Sequence, residues 1–366
     1  MASIDKRPNG KWRARWREYP GAPQHARHFD RKVDAERFLV EVQHKIARGD
    51  YTNPSEGLVT LAQFSTEYLR RRTWRPATRE RVDVSLRTYV LPTFGPWPLN
   101  RIRRAHIEEW AAGLKLAPSS VGAVVLVLSG LLEAAVKDGR ISRNPARGAV
   151  LPKIERAPLV PLTVPQVQLL TDAMPAHLRA GVFVAATTGL RQGELAGLTV
   201  DRLHLLERSM RIDQQLWTPR NAKPELVAPK NQRSYRTIAL APSTIDALAA
   251  HLAQFGPGHL GLVFHDPVGG AISRDRMSAA MRNAVGRAGL PGITWHDLRH
   301  HHASMLLSAG ISPALVAERL GHDVATLMRT YAHVVRNDDD RVRQIVEDSL
   351  RTVATNPAAA LPQRSS

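Results

Sequence analysis

The chain has no cysteine among its 366 residues, which removes disulfides and thiolate metal sites from the possible ways of holding it together. It has no uniformly apolar run of about 18 residues or more, so no membrane span is expected. The opening stretch MASIDKRPNGKWRARWRE has no apolar core such as a secretory leader needs, and the expected location is cytoplasmic. No P-loop lysine motif is present, so nothing points to nucleotide hydrolysis. GPGHLG at 256–261 matches G-x-G-x-x-G in letters only. It precedes the apolar run LVF, whereas a dinucleotide fingerprint follows a strand and opens a helix, so a loop is expected. Acidic residues are scarce: 33 Asp and Glu face 51 Lys and Arg, for a formal charge of +18. An excess of that size favours a polyanionic partner through release of condensed counterions, with nucleic acid the leading candidate. Arginine clusters occur in every third of the chain, as in KWRARWR, LRRRTWRPATRERV and RNAVGRAG, which argues against solubility as their only purpose.

What is present reads as a multidomain chain, mainly α with small β-sheets (α+β). Residues 1–55 form a small module of their own. KWRARWREY alternates in strand fashion, with Trp12, Ala14 and Trp16 on one face and Arg13, Arg15 and Arg17 on the other. A turn at Pro20-Gly21 and a second basic strand, HARHF, follow. From Val33 to Arg48 the apolar residues recur at helical spacing, so a helix is expected to cover a three-stranded sheet and leave its arginine face open. Such a face suits a DNA groove or plain solvent about equally. Residues 58–148 read as four or five helices. One ends in Arg70, Arg71 and Arg72, and the next begins at Pro76 with Arg75 and Arg79 beside it. The segment after Pro118 is apolar nearly all round and belongs at the centre of a bundle, with Asn144-Pro145 as its stop. Pro152, Pro158, Pro161 and Pro165 fall within a short space, and residues 149–160 are the expected linker. A second large domain takes 161–354, with β segments in SMRIDQQLW, ELVAPK and YRTIAL, and residues 355–366 make a disordered tail.

The densest chemistry lies in TWHDLRHHHASMLL, 294–307, with histidine at 296, 300, 301 and 302. His296 and His300 stand four apart as in a zinc protease, but Asp297 occupies the place of its glutamate and no third ligand is evident. His296 and Arg299 are three apart, so both emerge on one helical face, where the planar fork of Arg299 matches phosphate oxygens. ATTGLRQGELAGL sets Arg191 after a glycine at a helix start, with Glu194 one turn later to pair with an arginine or a backbone donor. LVAPKNQRSYRTIAL has the look of a hairpin with Lys230 beside its turn. RLGHDVATLMRTYAHVV offers His322 and Tyr331. Singly, each has a plain structural explanation: a surface charge, a turn residue, a half-buried helix residue. The ordered set makes those explanations improbable together.

TGLRQGE, the hairpin lysine, HDLRHHHAS, LGH and TYAH stand in an order and spacing that resembles the tyrosine recombinases, and among them phage-type integrases with an N-terminal arm-binding domain. The resemblance implies a site-specific recombinase that cleaves and rejoins DNA through a 3′-phosphotyrosyl intermediate, needing neither metal nor ATP nor another cofactor. Its catalytic set would be Arg191, Lys230, His296, Arg299, His322 and the nucleophile Tyr331, with Glu194 and His300 in support and no role for His301 and His302. By the same resemblance residues 1–55 would bind arm-type DNA sites, residues 58–148 core-type sites, and 161–354 would catalyse. Arg13, Arg15, Arg17, Arg70, Arg71, Arg72, Arg75 and Arg79 become candidate DNA contacts. The implied partners are double-stranded DNA, three further copies of the chain in a tetramer, and DNA-bending and directionality factors. Two rivals share the fold, a type IB topoisomerase and a DNA-binding regulator that has lost its chemistry. The full set of catalytic residue types weighs against the second.

Overall fold

The computed structural model describes residues 2–48, 56–154, 159–219, 222–229, 231–335, 342–344, 346–348 and 350–351. Lys230, residues 155–158 of the expected linker and the whole expected tail therefore lie outside the described residues. The chain divides into two compact units, Met1–Arg156 and Ala157–Ser366.

The first unit opens with an antiparallel sheet in the order β1 (Ser3–Lys6), β2 (Trp12–Trp16), β3 (His25–Phe29). Its register sets Ile4 opposite Ala14 and Ala14 opposite Arg27. The period-2 alternation of β2 turns Ala14 and Trp16 inward onto Ala35, Leu39 and Val42 of helix α1 (Lys32–Ala47), as the sequence pattern predicts. Arg13 and Arg15 take the opposite face, where both pair with Asp5, at 2.9 and 3.1 Å. Arg17 is turned aside, donating to the Ala22 carbonyl.

Five helices follow: α2 (Leu61–Arg71), α3 (Pro76–Ser85), α4 (Leu91–Phe94), α5 (Arg104–Gly113) and α6 (Pro118–Lys137). Thr60 and Gln63 close a capping box at the start of α2, satisfying two otherwise orphaned backbone donors. A π-helical turn, Leu86–Val90, joins α3 to α4. Its cause is Pro92, which lacks an N–H and would press its ring on the carbonyl four residues back. Helix α6 is long and apolar enough to cross a membrane by length and composition, yet Val121, Val124, Val125, Leu128, Leu131 and Leu132 are buried in the bundle. It ends at Lys137, earlier than the Asn144-Pro145 stop expected, because Gly139 enters the left-handed region at φ 69°. Of the arginines around α2 and α3, Arg71 pairs with Asp138 at 2.8 Å, Arg72 lies over the Tyr68 ring, and Arg79 lies over Trp74 and donates to the Leu69 carbonyl. Arg70 and Arg75 are exposed.

The second unit packs α7 (Val164–Ala173), α8 (Ala176–Thr188), α9 (Gln192–Ala196), α10 (Pro242–Phe255), α11 (Arg274–Arg287), α12 (Trp295–Ser308), α13 (Pro313–Leu320) and α14 (Val324–Val335) around two small sheets. One runs β4 (Leu203–His204), β5 (Ser209–Ile212), β8 (Arg236–Ala239); the other pairs β6 (Gln215–Trp217) with β7 (Glu225–Val227). The expected hairpin across LVAPKNQRSYRTIAL is thus not formed as such, since β7 turns back on β6 while β8 crosses to β5. Burial decides this: Ile238 of β8 stands opposite Met210, and both are fully buried in the core. GPGHLG opens no α-helix: its first glycine caps α10 at φ 65° and His259–Gly261 form a short 3-10 turn rather than plain loop.

Candidate active site

Arg191 is the residue just before α9, reached through Gly189, whose φ of 69° ends α8 in a left-handed turn. That conformation costs a residue with a Cβ, and a Cβ here would lie 2.5 Å from Leu320 Cδ2. The short helix brings Glu194 back onto Arg191: its Oε2 accepts from the Arg191 backbone N–H at 2.9 Å and its Oε1 from Nη1 at 2.7 Å. Both roles foreseen for Glu194, arginine partner and backbone acceptor, are filled at once. Arg236 at the start of β8 adds two more bonds to the same carboxylate, 2.8 Å from Nη2 and 3.2 Å from Nη1. Burial by itself would raise the Glu194 carboxyl, but Arg236 and then Arg191 outweigh it and hold the group down at about 2. Nothing in YRTIAL marks Arg236 as a buried ion-pair partner, because arginine in a short strand normally faces solvent. It was missed for that reason.

Arg299, on α12, is completely buried. Its Nη1 donates to the Gly189 carbonyl at 2.6 Å and its Nη2 to the Leu320 carbonyl. Arg191 Nη2 donates to the next carbonyl along, Gly321, at 3.0 Å. The two guanidinium groups therefore hang from consecutive carbonyls at the end of α13, where Gly321 closes the helix at φ 64°. Desolvation, with Arg191 close by, lowers Arg299 to about 9, and its Nε has no hydrogen-bond partner among the described residues.

His322 follows Gly321 directly. Desolvation first, then Arg299 and Arg191, push it down to about 3, so it is neutral at pH 7. His296 stands in the first turn of α12, exposed at its tip and lowered by desolvation within the cluster, by His300 and by Arg299. Thr294 and Asp297 form the capping box that starts this helix, which gives Asp297 a structural task at its N-terminus. Among the described residues no three histidine, aspartate or glutamate side chains are grouped closely enough to hold a metal ion.

Tyr331, on α14, is 1% exposed. Burial raises its hydroxyl to about 12, with Arg299 pulling the other way. The histidine in touch with it is His300, whose Nδ1 lies 2.5 Å from Tyr331 Oη. His296 stacks edge-on against the far side of His300, ring centres 4.5 Å apart. Of the last two histidines, His301 bonds the Leu162 carbonyl at 2.6 Å and His302 takes a bond from Arg319 Nε at 3.1 Å. Both are buried in the packing around α12. Arg191, His296, Arg299, His322 and Tyr331 thus come together from four separate segments, with Glu194 and His300 among them.

Residues 162–338 match the phage integrase family, and residues 60–115 match the N-terminal SAM-like domain of phage integrases. Together these matches take in well over half of the chain. The chain belongs to the phage integrase family. Among its relatives is a putative prophage phiRv2 integrase of Mycobacterium tuberculosis, 26% identical over 352 residues that make up 92% of each protein. The tyrosine recombinase XerD of Corynebacterium glutamicum is 28% identical over 262 residues, 67% of this chain and 81% of that one. In fold, this integrase is similar to the Tn1549 transposon integrase in complex with transposon right end DNA, at a TM-score of 0.69 and 19% identity, covering 78% of this chain and all of that one. It is also similar to a lambda integrase tetramer bound to a Holliday junction, at a TM-score of 0.58 and 18% identity, covering 87% and 95%. The integrase is accordingly a site-specific DNA recombinase of the tyrosine recombinase type.

Proposed function

We propose that this integrase breaks each DNA strand by in-line attack of Tyr331 on a phosphodiester, leaving a 3′-phosphotyrosyl link and a free 5′ hydroxyl. The observation that carries the reading is the suspension of Arg191 and Arg299 from the adjacent carbonyls of Gly321 and Leu320, in the same cluster as the buried Tyr331. Two fixed cations at one turn are suited to the two non-bridging oxygens of a phosphate, whose charge grows in the transition state. Fixed guanidinium charge takes the part that divalent cations take in other nucleases, so the reaction needs no metal. Lys230 protonates the departing 5′ oxygen, and His296 and His322 donate to the phosphoryl oxygens. The phosphotyrosyl ester retains the energy of the broken bond, so a second DNA end reverses the step without ATP.

Around this chemistry, residues 1–55 hold arm-type sites, 58–148 hold core-type sites, 149–160 link, and 161–354 catalyse. Four copies act together on two duplexes, with DNA-bending and directionality factors choosing between integration and excision of a mobile element in the bacterial nucleoid. The basic excess supports the DNA-binding part of this reading, as does the likeness to lambda integrase, a tetramer bound to a Holliday junction. The test is covalent trapping in EDTA: the protein and Tyr331→Phe are mixed with nicked, labelled DNA from beside their own gene and resolved on a denaturing gel. An adduct formed by the native protein and absent with the variant is expected. An adduct that persists with the variant, or that EDTA abolishes, overturns the proposal.

A further inference from the structure

The reading above gives His300 no chemical task, yet it is the histidine in contact with the atom that attacks. Its Nδ1 is 2.5 Å from Tyr331 Oη, and the two rings are 5.6 Å apart and tilted. The next two histidines of α12 are turned elsewhere: His301 to the Leu162 carbonyl, His302 to Arg319. A phenol attacks phosphorus well only if its proton leaves as the bond forms, and a base must then stand within hydrogen-bond reach of the oxygen. We infer that His300 is that base, receiving the Tyr331 proton on Nδ1 during cleavage and returning it to the phenol oxygen when the strand is rejoined. The inference rests on the proposal that Tyr331 is the nucleophile.

The balance of the step is complete. The proton of the Tyr331 hydroxyl passes to His300 Nδ1 as the Oη–P bond forms. The P–O5′ bond breaks, and O5′ takes a proton from the separate acid. In rejoining, the incoming 5′ hydroxyl gives its proton back to that acid, the Oη–P bond breaks, and His300 returns its proton to Oη. No oxidant or co-reactant is involved. The step requires the neutral tautomer with its proton on Nε2 and a lone pair on Nδ1. The surroundings favour the neutral ring: burial comes first in keeping His300 below its ordinary 6.5, Asp297 opposes that, and Arg299 adds to it. The titratable and charged groups around His300 are His296, Asp297 and Arg299 on α12 and Tyr331 on α14. His296 packs edge-on against the His300 ring, centres 4.5 Å apart.

The experiment measures single-turnover adduct formation on the nicked DNA from pH 5 to 9 with the full-length protein, His300→Gln and His300→Ala. Gln keeps a hydrogen-bond acceptor for Tyr331 but is not basic at any of these pH values, so it separates holding the phenol from taking its proton. The native rate should be level at neutral and alkaline pH and fall only in acid, below the ordinary histidine range, as His300 takes up a proton and can no longer accept one. His300→Gln should bind DNA normally, react roughly 100-fold more slowly at pH 7, and gain about tenfold per pH unit as hydroxide replaces the missing base. Repeating the assay with a sulfur in place of the bridging 5′ oxygen adds a discriminating arm. A thiolate leaves without an acid, so a Lys230 variant should recover on this DNA and His300→Gln should not. If His300→Gln matches the native rate and pH profile, or recovers on the sulfur substrate, His300 is not the base. Should Tyr331→Phe still form the adduct, the nucleophile itself has been misread, an outcome distinct from any shown by the His300 variants. His300→Ala, if it folds, should behave like Gln, and the conclusion does not depend on it.

Discussion

Replacing Glu194 by glutamine removes the charge that holds two arginines in place. Glu194 and Arg236 are 3% and 4% exposed, so the loss leaves a cation buried without its counterion. Removing one member of a buried pair costs about 3–5 kcal/mol. A second route gives a similar figure: burial opposes ionisation, yet Arg236 and Arg191 bring the carboxyl from 4.5 down to about 2. That depression corresponds to about 3 kcal/mol of stability at neutral pH. For a unit of this size about 3 kcal/mol is a fall in Tm of roughly 6–12 °C. The pH dependence has a fixed sign. A carboxyl with a depressed folded value contributes fully above its unfolded value of 4.5 and loses its contribution as pH falls through about 2. Differential scanning calorimetry of the native protein and Glu194→Gln should therefore show a constant gap from pH 7 down to pH 5 and a narrower one at pH 3. Adduct formation should drop as well, because the amide keeps one acceptor oxygen and turns an NH2 donor toward the groups of Arg191 and Arg236 that the other carboxylate oxygen held. Equal melting temperatures at pH 7, or a gap that widens in acid, would refute the reasoning.

Arg299→Lys should keep DNA affinity but lose at least about 100-fold in adduct rate, because an ammonium lacks the planar fork that spans the Gly189 and Leu320 carbonyls, as paired gel-shift and trapping assays will show. Gly321→Ala should lower Tm and adduct yield together, since φ is 64° and the new Cβ would lie 2.8 Å from the Arg233 carbonyl, at the turn that carries both arginines; a thermal melt and a trapping gel check it. Binding of the full chain to DNA should weaken steeply with salt, and if Arg70 contacts a phosphate, as proposed, Arg70→Ala should reduce the log–log slope by about 0.9, read from titrations at several salt concentrations. Stability should fall as pH drops below 6.5 because His302, held near about 3 first by desolvation and next by Arg319, stays unprotonated in the folded chain while the unfolded one takes up a proton; His302→Gln should flatten that limb in a pH series of thermal melts.

Much of this was legible in the chain because its determinants are local. The alternation of KWRARWR predicts which face of β2 meets α1, and the three-residue spacing of Arg191 and Glu194 predicts their pairing, since both depend only on strand or helix period. The order of TGLRQGE, HDLRHHHAS, LGH and TYAH identifies the candidate site without any coordinates. What escaped the sequence depends on contacts between distant segments. Four neighbouring histidines look alike on paper, and only the packing of α12 against α14 decides that His300 meets Tyr331 while His302 meets Arg319. The exchange of partners by β7 and β8 was hidden similarly, because a run of strand-forming residues on both sides of a turn suggests a hairpin whether or not a third strand competes. Gly139 ends α6 before the Asn-Pro pair because a left-handed residue stops a helix wherever its neighbours permit it.

The central claim is that Tyr331 attacks the DNA and keeps the 3′ end. Trypsin cuts after Arg329 and Arg336, so the peptide TYAHVVR carries this tyrosine alone. Adduct trapped on nicked DNA is digested with nuclease and trypsin, and the modified peptide is sequenced by mass spectrometry while the released strand is tested for a 5′ hydroxyl. The account predicts a nucleotide joined through its 3′ phosphate to Tyr331 and a released strand that kinase labels without prior phosphatase. A nucleotide on any other residue, or a link through a 5′ phosphate, would contradict it.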